Sequence, residues 1–423
     1  MKFAITGPLA DKNLGDYGMF INNLYDLGAD HEYTVFSYSS DFVKSLKKDF
    51  LDDFDIDFID VKLKPKDVEQ LSFKSKLRKL KRQILSQEQE IYPTPLQVVN
   101  RCENYAQIKQ AIAEIDVLVV SGGGYFNDLW YTWRRSDDLI KIIIPIFFAA
   151  FMKKKIVFTA NGYGPFDVSK QFYSMLFAET KNAYIGCRDE KLSPNYLADL
   201  NVKEISFLPD DLYLVNNALM KSNTADGIGK YIILELYGNM TDLKQNIDKL
   251  NAIVDFFASK ATKTIFMPFD IDQTTKSYLK ESITSTSFEF YEYDNYLKLD
   301  DAISMIKNAE LVICNRYHAL VLSVTTKTPV INIIKPVGDY RYYYNKNAGL
   351  LDNAFGSENI DYNDFISESL QQVYEVIESD FDNMLNTQNT LYSSDFYSIN
   401  KKRLKALRDD YFNKVIKSQG DVE

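Results

Sequence analysis

Short apolar runs rich in β-branched residues recur along this chain, and longer stretches with helical spacing separate one run from the next. Strands that alternate with helices form βαβ units, so the pattern predicts mainly parallel sheets with helices on their faces. The predicted strands of the first series are Lys2–Thr6, Tyr33–Tyr38, Ile56–Val61, Asp116–Val120, Lys155–Ala160, Ala183–Cys187 and Ile205–Leu208. Those of the second series are Tyr231–Leu236, Lys263–Met267, Ser287–Tyr291, Leu311–Cys314 and Pro329–Ile334.

The length of 423 residues exceeds what one ordinary core accommodates and favours two domains. Between the two series of strands, the interval Val215–Lys230 is polar, contains glycine and has no apolar periodicity, which is typical of a linker. We therefore predict an α/β fold of two doubly wound, Rossmann-like domains, over residues 1–214 and 231–390. A terminal helix within residues 394–423 is expected to pack back on the first domain.

The charge balance excludes a general nucleic-acid partner. Lys and Arg number 49 against 59 Asp and Glu, which gives a net charge of −10 and opposes binding to a polyanion. An anionic substrate must therefore meet a local cluster of cationic side chains and backbone N–H groups. Cys102, Cys187 and Cys314 are far apart and form no CxxC pair, and no histidine motif accompanies them, so we predict neither disulfides nor a metal site.

The N-terminal sequence contains no apolar stretch of the kind that a secretory signal needs. The longest apolar run is Ile142–Met152, which is shorter than the roughly 20 residues of a membrane span and predicts a buried helix. We therefore expect a cytoplasmic protein. The basic segment Lys74–Arg82 has apolar residues at helical spacing, and it is either a solvated helix face or a peripheral contact with anionic lipid at the inner face of the membrane.

Ligands of open α/β sheets bind beyond the carboxyl ends of the strands, so the residues after each strand are the first candidates. The first strand leads to a glycine-bearing loop with Asp16, which is either a helix cap or a functional carboxylate. The fourth predicted strand leads to three consecutive glycines, which form either a tight turn or a nest of N–H groups for an anion. The candidates there are Gly122, Gly123, Gly124, Asn127 and Asp128.

Three further strand ends carry polar candidates. Asn161 begins a second glycine turn after the strand at 155–160. Arg188 follows the next strand, where it either binds a carboxylate or phosphate through parallel hydrogen bonds or pairs with Asp189. The carboxylates Asp210 and Asp211 follow the last strand of the series and either accept a substrate proton or cap the next segment.

The most informative turn lies in the second series. A hydrophobic strand ends at Cys314, and an apolar helical pattern begins near His318. In an extended turn residues i and i+2 lie on one side, so Arg316 and His318 can face one ligand beside a helix N-terminus that favours anions. The only other histidine, His31, lies in a polar stretch with no strand end nearby. His318 is therefore the predicted proton donor, with a structural histidine as the alternative.

The order of these motifs resembles the polysaccharide pyruvyl transferase family. The motifs are N-x-GD, SGGG, NGYGP, RD, PDD and NRYHALV, and they extend from about residue 3 to 335. The resemblance implies two Rossmann-like domains that face across a cleft, a GT-B-like architecture. It also implies an enzyme that transfers pyruvate from phosphoenolpyruvate to two hydroxyls of a sugar, as a cyclic ketal, in a cell-surface polysaccharide or its lipid-linked precursor.

The same resemblance assigns roles to residues. The family's catalytic histidine and substrate arginine would be His318 and Arg316, and a second arginine toward phosphoenolpyruvate would be Arg188. Members with another histidine in the N-terminal domain have no counterpart here, so phosphate recognition would use the glycine loops and Lys335. Phosphoenolpyruvate is a donor substrate, and no cofactor is implied. A carboxylate must accept the hydroxyl proton, and Asp16, Asp128 and Asp210 are left as unranked candidates.

Two other functions remain open from the sequence. A nucleotide-sugar glycosyltransferase on the same frame commonly has an acidic residue on the helix after this turn, to bind a ribose. Here no Glu lies between Glu310 and Glu358, and no Asp between Asp301 and Asp339, which counts against that function. A non-catalytic carbohydrate-binding protein on the same frame is the second alternative, and the Arg-x-His turn gives it no support.

Overall fold

The computed structural model describes residues 1–9, 12–37, 40–65, 94–132, 135–238, 240–270, 272–334 and 340–417. Its strands are β1 (Lys2–Thr6), β2 (Glu32–Ser37), β3 (Asp55–Asp60), β4 (Val117–Val120), β5 (Gly123–Phe126), β6 (Lys155–Tyr163), β7 (Tyr184–Cys187), β8 (Ile205–Phe207), β9 (Tyr231–Glu235), β10 (Lys263–Phe266), β11 (Phe288–Phe290), β12 (Val312–Cys314), β13 (Val330–Ile333) and β14 (Ile366–Ser367). The basic segment Lys74–Arg82 and the candidate Lys335 lie outside the described residues.

The helices alternate with these strands. They are α1 (Leu14–Leu27), α2 (Ser40–Phe50), α3 (Pro95–Asn100), α4 (Tyr105–Glu114), α5 (Asp128–Thr132), α6 (Ser136–Phe151), α7 (Lys170–Glu179), α8 (Ser193–Ala198), α9 (Met240–Gln245), α10 (Ile247–Ser259), α11 (Gln273–Ser282), α12 (Leu299–Lys307), α13 (Tyr317–Thr326), α14 (Tyr340–Phe355), α15 (Leu370–Ser379), α16 (Phe381–Ser393) and α17 (Asp395–Asp410). Each predicted strand is present, with ends that shift by at most three residues. The unpredicted strands β5 and β14 are a glycine-rich segment and a two-residue segment, and both lack the apolar run that marks a buried strand.

The chain divides into two compact units. The first contains residues 1–10, 29–187 and 192–206, and the second contains residues 11–28, 188–191 and 207–423. In the described part of the first unit, the sheet has the order β3-β2-β1-β4-β6-β7-β8, and β5 pairs with β6. The paired strands are parallel, and all four residues of β4 are buried, as expected for a sheet covered on both faces.

Helix α6 covers part of this sheet and confirms the buried helix predicted from the longest apolar run. Its residues from Leu139 to Ala149 are buried except for Lys141, so the helix is apolar on nearly every side and belongs to the core. No helix in the described ranges combines the length and the hydropathy that a membrane span requires.

The second unit has its own parallel sheet, in the order β11-β10-β9-β12-β13-β14 within the described residues. Strand β9 lies between β10 and β12. From β9 the chain first adds β10 and β11 on one side, and then adds β12, β13 and β14 on the other side. Ligands of doubly wound sheets bind beyond the strand ends at such a reversal. The carboxyl ends of β9 and β12 are Glu235 and Cys314, and the turn predicted to bind an anion follows Cys314.

The boundary between the units differs from the predicted one at 214. Helix α1 and residues 188–191 belong to the second unit, and the predicted linker Val215–Lys230 lies inside it. The Leu14 N–H donates to the carbonyl of Phe269 at 3.0 Å, and the Asn353 side chain donates to the carbonyl of Arg188 at 3.0 Å. Such contacts join segments that are hundreds of residues apart, and polarity and glycine content along the chain carry no signal of them.

The C-terminal helix α17 packs on α1. Arg408 is 2% exposed and donates to Asp26 at 2.8 Å, to Asp211 at 2.6 Å and to the Asn23 side chain at 2.7 Å. Its guanidinium also lies 4.4 Å from the centre of the Phe412 ring. Both helices belong to the second unit, so this contact lies within that unit.

Arg408→Ala should destabilise the second unit by about 3–5 kcal/mol, because it leaves the buried carboxylate of Asp211 without its guanidinium. The measurement is the midpoint of urea unfolding of the full chain, monitored by far-UV circular dichroism. Lys405→Ala is the matched control on the same helix, since the Lys405 side chain is 65% exposed and pairs only with Asp409 among the described contacts. Equal midpoints for the two variants would contradict the role of Arg408.

Candidate functional site

The turn between β12 and α13 has the predicted extended geometry. Arg316 is the residue before the helix, with φ −87° and ψ 134°, and α13 begins at Tyr317. The Asn315 side chain accepts from the Tyr237 N–H at 2.9 Å and donates to the Tyr237 carbonyl at 3.0 Å. These two bonds tie the turn to the segment that follows β9, so two neighbouring strand ends are held in register.

Glu235 at the end of β9 stabilises this turn through hydrogen bonds. The sequence analysis did not identify this residue. Its carboxylate is fully buried and accepts the N–H groups of Arg316 at 2.9 Å and Asn315 at 3.3 Å, together with that of Phe269. Burial raises the pKa of Glu235, and the Arg316 guanidinium opposes that shift. A glutamate at the end of the apolar run YIILE was the available signal, because a buried strand rarely ends in an unpaired carboxylate.

His318 lies in the first turn of α13 and is 8% exposed. Its Nε2 atom is 4.0 Å from Asp210 Oδ2 and has no hydrogen-bond partner among the described residues. Burial lowers the pKa of His318 well below 6.5, and the nearby cations Lys346, Arg188 and Arg316 lower it further. The ring is therefore neutral at pH 7 in the ligand-free protein, and an additional anion beside it would favour its charged form.

Gly15 in the first turn of α1 packs directly against the His318 ring. A methyl group in place of its hydrogen would lie 1.8 Å from Nδ1 and 2.4 Å from Cγ of the imidazole, a separation that no side chain tolerates. Gly15 is helical, and the absence of a side chain leaves room for the ring. The helix α1 therefore fixes the position of the imidazole.

Asp210 connects the predicted site residues. It accepts from Arg188 at 3.3 Å, from the Leu212 N–H at 3.0 Å and from the Tyr317 hydroxyl. The side chains of Arg188 and Asp210 are 4% and 1% exposed, so this ion pair is buried. Arg188 thus pairs with a carboxylate 22 residues further along the chain.

Arg316 is half-buried and oriented by two contacts. Its guanidinium donates to Asp270 at 2.8 Å and lies 3.6 Å from the centre of the Tyr237 ring. Its buried Nε atom has no hydrogen-bond partner among the described residues. The planar guanidinium thus retains donor capacity for a carboxylate or phosphate.

Lys346 on α14 is a further cation at this site, and no sequence motif marked it. Its ammonium lies 4.0 Å from the centre of the Tyr317 ring, and the Arg188 guanidinium lies 4.8 Å from the same ring. Burial lowers the pKa of Lys346 well below 10.5, and Arg188 adds to that shift. Three cationic groups therefore lie around one buried imidazole.

Asp16 lies beside this group but does not cap α1. The N-cap is Asn13, whose side chain accepts from the Gly15 N–H at 3.2 Å and donates to Asp16 at 2.9 Å. Asp16 is half-buried, and its charge favours the ammonium form of Lys346. Of the three candidate proton acceptors, Asp16 and Asp210 lie at the site in the second unit.

Asp128 is the third candidate and lies in the first unit. Its two oxygens accept the N–H groups of Asp167 at 2.7 Å, Val168 at 3.2 Å and Ser169 at 2.9 Å, and also the Ser169 hydroxyl. These bonds satisfy the segment that leads into α7. The contacts favour a structural role over proton transfer, because the lone pairs of the carboxylate are already occupied.

The glycine loops of the first unit differ in shape from the prediction. Gly123 and Gly124 lie in β5, which pairs with β6, and Asn161 lies inside β6 because that strand continues to Tyr163. Asn127 accepts from the Trp130 N–H at 3.1 Å and donates to the Gly124 carbonyl at 2.9 Å, so it caps α5. Asn161 donates to backbone carbonyls of β4 and β6. Substrate binding by these residues and by Gly122 stays a prediction.

The second unit thus brings together the predicted residues Asp16, Arg188, Asp210, Arg316 and His318, and adds Gly15, Glu235 and Lys346. Cations surround an imidazole that can exchange a proton, and carboxylates orient both. Such an arrangement can bind a small anion with two charged groups and protonate it. Cys314 at the end of β12 is fully buried, and burial raises the pKa of its thiol, so it serves the core and not the chemistry.

The family model described as polysaccharide pyruvyl transferase matches residues 23–334 of this chain. That range includes Arg188, Asp210, Arg316 and His318, but not Gly15, Asp16 or Lys346. No curated protein matches the sequence.

Solved structures of other proteins are similar in fold. S. aureus MnaA, in a co-structure with UDP, is 12% identical over 100% of both chains, with a TM-score of 0.58. A putative UDP-N-acetylglucosamine 2-epimerase from Listeria monocytogenes is 11% identical over 98% of this chain and 97% of its own, with a TM-score of 0.58. UDP-GlcNAc 2-epimerase from Neisseria meningitidis, bound to UDP-GlcNAc, is 9% identical over 96% and 99%, with a TM-score of 0.58. These likenesses confirm a GT-B-like fold with two Rossmann-like domains.

Gly15→Ala should displace the His318 ring and raise its pKa toward 6.5, because the added methyl group occupies the space of the imidazole. Histidine-selective NMR titration measures this directly, since the chain has only two histidines. Gly18→Ala is the matched control on the same helix, where the new methyl meets only leucine methyl groups at 3.2 and 3.3 Å. An unchanged His318 titration in Gly15→Ala would show that the packing is not as described.

Proposed function

Because this chain belongs to the polysaccharide pyruvyl transferase family, we propose that it transfers pyruvate from phosphoenolpyruvate to two hydroxyls of one sugar. The acceptor is a residue of a cell-surface polysaccharide or of its lipid-linked precursor, and the product is a cyclic ketal. The observation that carries the proposal is the buried imidazole of His318, which lies near enough to Arg188 and Arg316 for both guanidinium groups to lower its pKa. Phosphoenolpyruvate has a carboxylate and a phosphate on a short frame, and these groups match two arginines.

The chemistry starts with a proton. His318 in its cationic form donates to the methylene carbon of phosphoenolpyruvate, which becomes a methyl group while C2 becomes electrophilic. A sugar hydroxyl forms a bond to C2 and gives up its proton to a carboxylate. The bond from C2 to the phosphate oxygen then breaks, the neighbouring hydroxyl adds to C2, and the leaving phosphate takes the proton of that hydroxyl. The proton held by the carboxylate returns through solvent to His318, so the protons balance over the cycle. Carbon, oxygen and phosphorus are conserved, and no oxidant or metal enters the balance.

The two candidate proton acceptors at the site, Asp210 and Asp16, have different roles in this scheme. Asp210 Oδ2 is 4.0 Å from His318 Nε2, so the negative charge of this carboxylate is placed to favour the imidazolium when the ring is protonated. Asp16 is half-buried on the first turn of α1, next to the glycine that packs on the ring. We assign to Asp16 the acceptance of the hydroxyl proton.

The decisive experiment incubates the full chain with phosphoenolpyruvate and a panel of glycans and lipid-linked oligosaccharides. Phosphate release together with a pyruvyl mass gain on the glycan supports the proposal. Thermal shift provides a second readout, in which phosphoenolpyruvate raises the melting temperature by binding linkage and UDP and GDP leave it unchanged. A shift with UDP alone would favour the nucleotide-sugar glycosyltransferase instead.

His318→Gln should lower the transfer rate by about 10²–10⁴-fold, the range expected for loss of a general acid. The variant should keep the melting temperature of the unmodified chain to within a few degrees. His31→Gln is the matched control, because His31 is the other histidine and packs against Phe3 in the first unit. Normal transfer by a folded His318→Gln protein would refute the assigned acid.

Phosphoenolpyruvate binding should take up protons near pH 6.5. The pKa of His318 lies well below 6.5 in the free protein, and an anionic ligand among the cations raises it, so a proton enters between the two values. Calorimetry of binding in buffers with different ionisation enthalpies measures the number of protons. Uptake should fall in His318→Gln, and an equal uptake in both proteins would exclude the imidazole as its source.

A further inference from the structure

Lys346 is not used by the scheme above, although it lies at the site. The helix α14 that carries it is anchored by residues that follow the lysine. The Asn347 side chain donates to Asn332 of β13 at 2.6 Å, and the Asn353 side chain donates to the Arg188 carbonyl at 3.0 Å. A further ion pair joins Lys191 and Asp352 at 2.7 Å. The position of the ammonium relative to the arginines is thus set by several independent contacts.

The surroundings of Lys346 are costly for a charge in the free protein. Burial is the largest cause of its lowered pKa, and the like charge of Arg188 is the next, ahead of the favourable charges of Asp210 and Asp16. Arg188 and Arg316 each pair with a carboxylate, Asp210 and Asp270. The ammonium form of Lys346 is therefore disfavoured in the ligand-free protein.

The cost disappears when an anion is bound. A ligand with two or more negative charges offsets the repulsion among Arg188, Arg316 and Lys346. Its charge also favours the ammonium form of the lysine. The two cations that contact the Tyr317 ring, Arg188 and Lys346, approach it within 4.8 and 4.0 Å. The group around this ring is therefore built for a ligand with more charge than a single carboxylate.

We propose that Lys346 is a third cationic ligand of the donor, which binds the anionic groups of phosphoenolpyruvate together with Arg188 and Arg316. The inference rests on the proposed function of this site and adds a residue beyond the stretch that matches the family. It also defines the class of donor, a small organic phosphate with a second anionic group, in preference to a sugar or a neutral molecule.

The test replaces Lys346 by Met, which has a similar length and no charge. The dissociation constant of phosphoenolpyruvate, measured by calorimetry, should rise at least tenfold, and Lys346→Arg should recover most of the loss. The ligand-free Lys346→Met protein should melt at the same temperature as the unmodified chain or above it, because the substitution removes a buried charge next to a like charge. A lysine with a purely structural role would give the opposite change in melting temperature.

Lys401→Met is the matched control. Lys401 is a lysine of the same unit whose pKa burial lowers to about 8, and it donates to the Thr325 carbonyl at 2.7 Å. Its replacement should lower the melting temperature and leave the dissociation constant of phosphoenolpyruvate unchanged. Lys346→Gln repeats the measurement should the methionine variant fail to fold.

The outcomes separate the two proposals. If the unmodified chain binds phosphoenolpyruvate and Lys346→Met binds it equally well, the role of Lys346 is overturned while the proposed function stands. If the unmodified chain shows neither calorimetric binding nor a thermal shift with phosphoenolpyruvate, the proposed function itself fails.

Discussion

The site depends on one buried ion pair, between Arg188 and Asp210, whose side chains are 4% and 1% exposed. Removing two charges from water is costly, and such a pair is stable only when further hydrogen bonds satisfy it. Here the Leu212 N–H and the Tyr317 hydroxyl supply them to Asp210. The pair thereby joins the segment after β7, the segment after β8 and the start of α13, where His318 lies.

The adjacent carboxylate extends this dependence to the end of the chain. Asp211 binds Arg408 of α17 at 2.6 Å and the Asn23 side chain of α1 at 2.8 Å. Two consecutive aspartates thus serve two separate networks, one at the site and one between the first and last helices of the second unit. Because α1 also carries Gly15, the contacts of the C-terminal helix α17 with α1 help to position the imidazole.

The fold was largely predictable because its determinants are local. Apolar runs marked the strands, and the polar residue types at their ends marked Arg188, Asp210, Arg316 and His318. The remaining site residues depend on contacts between residues that are far apart in the sequence. The His318 ring, which packs on Gly15, lies 303 residues further along the chain. The sequence around Lys346 contains no motif that indicates its neighbours. The triple glycine was predicted as a loop, whereas two of its residues form strand β5. The sequence could not show that this segment pairs with β6.

The close packing of Gly15 on His318 also restricts direction. An imidazole that cannot rotate past a helix backbone presents its proton along one line. On the proposed chemistry, the planar methylene of the donor is then approached from a single face. A methylene with two different hydrogen isotopes, protonated in solvent that supplies the third isotope, would yield a methyl group of one handedness. The missing side chain of a glycine thus becomes a source of stereochemical control.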